Sequence, residues 1–170
     1  MYKRNSRNRI TGYTEDQFQL TNISETIGAI SQWSVAHGQN YNFFLGYGGI
    51  YMANALDQSS LDEGLPLSKD INDSILAHSA AELLASEGWI YDNKYYLSVG
   101  SDVYVYDILQ SQIAKTEVWA IYNYADSVRR AWVDGGIAFL GSTTKLYYIS
   151  GNTDNSTAID VEVRSSRRSQ

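Results

Sequence analysis

Apolar and polar positions alternate in short bursts along this chain, and the clearest run covers residues 88–107. Trp89, Ile90 and Tyr91 lead into Asp92-Asn93. Tyr95, Tyr96 and Leu97 follow, then Gly100-Ser101-Asp102, then Val103 to Tyr106. Aromatic and β-branched residues suit a half-buried pleated surface, while Asp, Asn and Gly tolerate tight turns. The pattern predicts three short antiparallel strands joined by two turns.

The same reading predicts strands at Phe18-Gln19-Leu20, 32–36, 41–45 and 50–53, with turns at 37–40 and 46–49. Later strands are expected at 117–122, 130–133, 136–140, 145–149 and 158–163. The last alternates apolar and charged residues, as a half-exposed strand does. Residues 1–17 are polar without period and read as an extended basic arm with little structure of its own. Residues 54–67 read as a loop and hold the only proline, Pro66. Ser68 suits an N-cap, Ile71 and Ile75 lie one helical turn apart, and residues 80–85 are good helix formers that end before Gly88. One or two short helices are expected within 68–86, and helix nowhere else.

Three segments align with one another. Each begins with an apolar or aromatic strand, at 33–36, 89–91 and 131–133, and turns near Gly38, Asn93 and Gly135. Each then has an aromatic-Leu pair, Phe44-Leu45, Tyr96-Leu97 and Phe139-Leu140, followed by Ile50-Tyr51, Val103-Tyr104 and Leu146-Tyr147. The leucines stand 52 and 43 residues apart, and the longer gap contains the helical insert. A period near 45 with about four strands per unit is the pattern of propeller blades. The expected fold is all-β, with antiparallel blade-like sheets forming a partial β-propeller of about three blades, and the short helical insert near 68–86. The competing reading is an ordinary antiparallel domain with similar hairpins. The expected division is an arm at 1–17, a propeller-like domain at 18–163 and a basic tail at 164–170.

The order of these pieces resembles the β-propeller proteins of short-tailed phage particles, the tail nozzle and packaged-DNA stabilisation proteins. The likeness is carried by Ile27-Gly28-Ala29-Ile30 with Ser34-Val35, by 42–45 with 48–51, and by Pro66-Leu67-Ser68-Lys69-Asp70-Ile71. The blade at 91–107 and the Trp strand at Val118-Trp119 complete it, so it covers residues 23–163. Relatives of this kind are several times longer and carry a complete propeller. The resemblance implies a structural, non-enzymatic subunit of a tail or neck, a nozzle or head-to-tail connector lining or closing the DNA channel. It implies partners that are copies of the chain in a ring of about six, and neighbouring tail or portal proteins. It implies a virion location after synthesis in the host cytoplasm.

Composition adds to this in three places. The chain has 170 residues, which makes a single domain with a real core the default. It has no cysteine, which excludes disulfide scaffolds and thiolate metal sites and fits synthesis in a reducing compartment. The net charge of −6 hides an asymmetry: Lys3, Arg4, Arg7 and Arg9 crowd the start, and Arg164, Arg167 and Arg168 the end. Setting those seven aside leaves six Lys+Arg against 19 Asp+Glu, so the body carries −13. An acidic body with basic ends disfavours general nucleic-acid binding, although the ends suit an acidic neighbour or non-specific contact with packaged DNA. No apolar run approaches the ~20 residues that span a bilayer, and no secretory signal opens the chain. Sequons at Asn22, Asn72 and Asn155 read as chance.

No residue is assigned to catalysis, a cofactor or a metal. His37 and His78 are 41 residues apart without a ligand-spaced partner. Asp92, Asp102, Asp134 and Asp154 fall at turns, where a carboxylate caps backbone amides. A glycosidase pair among the carboxylates is the one catalytic alternative. Asn152-Thr153-Asp154-Asn155-Ser156 lacks the Gly and distal Glu of a calcium loop, and Gly46-Tyr47-Gly48-Gly49 opens no helix to cradle phosphate. The 14 tyrosines suit interfaces. They also leave a second function class open, a carbohydrate-binding, receptor-binding or lectin-like module.

Overall fold

The structure, a computed structural model, describes residues 1–38, 40–54 and 65–149, and the backbone of strands at 153–154, 157–158 and 160–165. It is mostly antiparallel β, in small separate sheets, none closed on itself. Strands β1 (Arg7–Thr11) and β2 (Gln19–Ser24) form a hairpin. Strands β3 (Ala36–Gly38), β4 (Tyr41–Gly46) and β5 (Gly49–Asn54) form a first meander. Helices α1 (Asn72–Leu76) and α2 (Ala80–Leu84) follow. A second meander is β6 (Glu87–Tyr91), β7 (Lys94–Val99) and β8 (Asp102–Asp107). Helix α3 (Ile108–Ala114) leads to β9 (Val118–Asn123). The third meander is β10 (Arg130–Asp134), β11 (Ile137–Gly141) and β12 (Leu146–Tyr148). A small pair, β13 (Thr153–Asp154) and β14 (Thr157–Ala158), precedes β15 (Asp160–Ser165), which returns to pair with β9. The central sheet therefore has five strands in the order β15-β9-β8-β7-β6.

Several expectations need correction. The arm is not free of structure, because Arg7–Thr11 pairs with Gln19–Ser24. The strand expected at 32–36 is a 3-10 turn over Gln32–Ser34, and strand begins only at Ala36, so His37 and Gly38 lie in β3 and not in a turn. There the Ser34 hydroxyl accepts from Leu45 N at 3.0 Å, replacing a ladder carbonyl. Helix is not confined to 68–86: α3 lies outside, N-capped by Asp107, which accepts from Gln110 N at 2.8 Å. Ser68 does not cap a helix. Its hydroxyl accepts from Ile50 N at 2.8 Å and donates to Asn72. The capping box is Ser79 with Glu82. Arg164 and Ser165, expected in a tail, belong to β15, and the strand expected at 158–163 runs from Asp160 as the edge strand of the central sheet, paired with β9. Residues 55–64 of the expected loop and 166–170 of the expected tail lie outside the described residues.

Turn positions set the register of the three meanders. The first turn of each is flanked by Gly38↔Tyr41, Tyr91↔Lys94 and Asp134↔Ile137. Asp92 and Asn93 take φ of 47° and 55°, Gly135 and Gly136 take 55° and 78°, and these left-handed pairs match the twist of a two-residue hairpin. Counted from these turns, Phe43, Tyr96 and Phe139 are equivalent, and so are Phe44, Leu97 and Leu140. Cross-strand pairs agree: Phe44↔Tyr51, Leu97↔Tyr104 and Leu140↔Tyr147. The alignment of Leu45 with Leu97 and Leu140 is thus off by one residue. A one-residue slip exchanges the two faces of a strand, so the correction decides how the sheets stack.

With that register, each meander has a front face and a back face, and the sheets stack front to back. The front of the first (Phe43, Leu45, Ile50) packs on the back of the second (Tyr95, Leu97, Tyr104, Tyr106). Phe43 stacks on Tyr95 with ring centroids 4.9 Å apart. The front of the second (Trp89, Tyr96, Val103, Val105) packs on the back of the third (Ala131, Leu140, Tyr147). The back of the first (Phe44, Tyr51, Ala53) is covered by Tyr2, Ile27 and Ala29, and the Arg7 guanidinium lies over Phe44. Ile71, Ile75 and Ile108 of the helical segments close the side of the first interface.

Candidate interaction surface

Polar links hold the layers in register. Tyr95 donates its hydroxyl to Ser34 O at 2.9 Å, and Ser31 donates to Ser86 O at 2.7 Å, tying the first meander to the second. Gly88 sits so close to Ser34 O that a Cβ would lie 2.3 Å from it. Between the second and third meanders, Glu87 pairs with Arg130 at 3.4 Å and accepts from Ala131 N at 3.5 Å. Burial pushes the Glu87 carboxyl above the usual carboxylate range, against the pull of the Ala131 amide and the Arg130 charge. The Arg130 guanidinium lies 4.3 Å from the centroid of the Trp33 ring, so one side chain bridges to the first meander as well.

The described candidate side chains are tied to neighbours by hydrogen bonds and ion pairs. His78, in the loop between α1 and α2, has Nε2 3.2 Å from Asp102 Oδ2 and 3.0 Å from Tyr104 Oη, and Nδ1 3.8 Å from Glu82. This cluster was missed in the sequence because its members come from α2, β8 and the loop between α1 and α2, and no local spacing announces them. It pins the insert to the second meander. His37 Nδ1 meets the Asn42 side chain at 2.8 Å across the first hairpin. Tyr147 donates to Asp126, which also pairs with Lys145 at 3.2 Å. The Tyr147 contact, then burial, hold its hydroxyl above the ordinary tyrosine range, and the same contact holds the Asp126 carboxyl low. Asp92 pairs with Lys94 at 3.5 Å at the turn, and Asp134 closes its hairpin opposite Ile137. Among the described residues no group of three His, Cys, Asp or Glu side chains is placed to hold a metal ion. The calcium-like stretch at 152–156 falls where side chains lie outside the described residues.

The surface that stands out is the front of the third meander. One rung places Trp132, Phe139 and Tyr148 side by side across three strands, and Leu146 and Ile137 share that face. The rings of Trp132 and Phe139 stack at 5.4 Å. Trp89 and Tyr96, equivalent by register, stack at 5.2 Å on the second meander. The two pairs differ in cover: Trp89 is 5% exposed and Trp132 45%. Leu146 and Tyr148 are 62% and 64% exposed, while their equivalents Val103 and Val105 are buried. The face is built like an interior one, yet it is open. Single exposed apolar residues are ordinary, but a contiguous aromatic face marks an interaction site. Sequence reading placed these residues in strands but not on one open face, because their exposure depends on which layer comes last.

No family model matches the chain, and no curated protein or solved structure matches it. No helix among the described residues is long and apolar enough to cross a membrane.

Proposed function

We propose that this chain is a structural, non-catalytic subunit of a phage particle, placed in the tail or neck as part of a nozzle or head-to-tail connector. In this reading the three meanders are blades of a larger propeller-like assembly, and other copies and neighbouring tail or portal proteins supply what the chain lacks. One observation carries it. The Trp132–Phe139 pair repeats the buried Trp89–Tyr96 pair in register and geometry, but nothing among the described residues covers it. A stack whose last layer is built for burial calls for a neighbour. The order of motifs over residues 23–163 supplies the phage-tail setting. The body charge of −13, six Lys+Arg against 19 Asp+Glu, suits a channel wall along which DNA slides without sticking.

The test is protein content of purified particles from a phage that encodes the chain. Mass spectrometry is expected to find it at about six copies per particle, the ring size that the family resemblance implies. Its absence from particles that are otherwise complete contradicts the proposal. A second reading draws on the same face: flat, exposed Trp132 and Tyr148 rings suit stacking on sugars. Binding on a glycan array that is lost with Trp132→Ala would favour the carbohydrate-binding module instead.

A further inference from the structure

We propose that the open front of the third meander is covered by the β1–β2 hairpin of a second copy, so that copies join head to tail. This rests on the reading of the chain as an assembling subunit and adds both contact surfaces to it.

The hairpin is a second feature that exposes apolar side chains among the described residues. It is two-stranded, with Ile10 directly opposite Leu20. Ile10, Leu20 and the adjacent Phe18 are 57%, 63% and 59% exposed. A two-stranded hairpin is marginal in water unless its apolar face packs on something. One chain thus carries, among the described residues, an exposed aromatic sheet face and a hairpin with exposed apolar side chains.

The two cannot meet within one copy. Tyr2, ahead of the hairpin, and Arg7, its first residue, lie on the back of the first meander. Trp132 lies on the front of the third, at the other end of the stack. The N-terminal segment already covers the back of the first meander, and the hairpin starts from there at Arg7. A contact between two different patches is heterologous and builds rings or filaments. It also continues the front-to-back order that joins the meanders inside the chain.

Charge favours this pairing over hairpin on hairpin. Residues 1–24, the N-terminal segment with its hairpin, hold Lys3, Arg4, Arg7 and Arg9 against Glu15 and Asp16, +2, whereas the whole chain is −6, so the remainder carries −8. Two such arms repel, while an arm and the body of another copy attract.

The experiment uses Leu20→Glu and Trp132→Glu in the full chain, singly and mixed, by sedimentation at micromolar concentration. Both side chains are exposed, so circular dichroism is expected to stay β-rich. If either variant loses it, Ile10→Glu and Tyr148→Glu replace them. The wild type is expected to sediment as a multi-copy species. Each variant alone is expected to be monomeric, its association weakened roughly tenfold or more. The equimolar mixture is expected to recover a one-to-one dimer and nothing larger, since each partner keeps one intact surface. Wild-type assembly by either variant overturns the inference, as does a monomeric mixture. Leu20→Glu that dimerises alone while Trp132→Glu does not would show a front-to-front contact and also overturns it. Absence from particles would instead sink the proposed function and leave this contact standing.

Discussion

Phe43 shows what a single side chain does in this stack. It is fully buried, it stacks on Tyr95, and it belongs to the front face that the second meander covers. Phe43→Ala removes a ring from a packed interface and leaves a cavity, and is expected to cost about 3–5 kcal/mol in urea unfolding. Ser34 acts through a hydrogen bond instead. Its hydroxyl donates to Ser31 O at 2.7 Å and accepts from Leu45 N at 3.0 Å, both buried. Ser34→Ala leaves a buried N–H without its acceptor, and is expected to cost about 1–3 kcal/mol. Glu87 gives a pH signature. Its folded pKa is raised, so between the ordinary glutamate value, about 4.3, and the raised one the folded state holds a proton that the unfolded chain has released. The stability this group contributes is present below that window and is lost as pH rises through it. Glu87→Gln cannot titrate, so the stability of the variant relative to wild type should grow as pH rises through the window. A relative stability that falls over the same range would contradict the assignment.

At the scale of elements, the turns carry the register and the strands follow. Asn93 holds a left-handed conformation in the first turn of the second meander, which a β-branched residue does not tolerate. Asn93→Val is expected to cost about 1–2 kcal/mol, with Asn93→Gly neutral or stabilising, by thermal unfolding. Much of this was legible in sequence. Asp92-Asn93, Asp134-Gly135 and the aromatic runs around them announce their hairpins, and residues 71 and 75 announce a helical face. What was not legible has a physical reason in each case. In the first meander both Phe43 and Phe44 are aromatic, so Phe44-Leu45 imitates Tyr96-Leu97 and conceals a slip of one residue. The β1 sequence Arg-Asn-Arg-Ile-Thr has no alternation, and only its partner strand makes it a strand. Gln32–Ser34 turns because the Ser34 hydroxyl satisfies an amide that a strand would otherwise pair. The His78 cluster and the open face around Trp132 arise only from tertiary placement.

At the scale of the whole molecule, the chain is a stack with unlike ends. One end is capped by Tyr2 and Arg7 over Phe44. The other end presents the Trp132–Phe139 pair to solvent. In stacked repeat architectures the terminal layer needs a polar cap or a neighbour, and this terminal layer is aromatic. Removing residues 1–6 is expected to uncover the back of the first meander, lower stability, and promote non-specific association, measurable as a lower urea midpoint. The measurement that bears most directly on the account is the native mass of the purified full chain across concentration. A defined multi-copy species is expected, about six copies when the ring closes, that dissociates on dilution. A chain that remains monomeric at every concentration, with Trp132 as exposed to solvent as it is here, would contradict it.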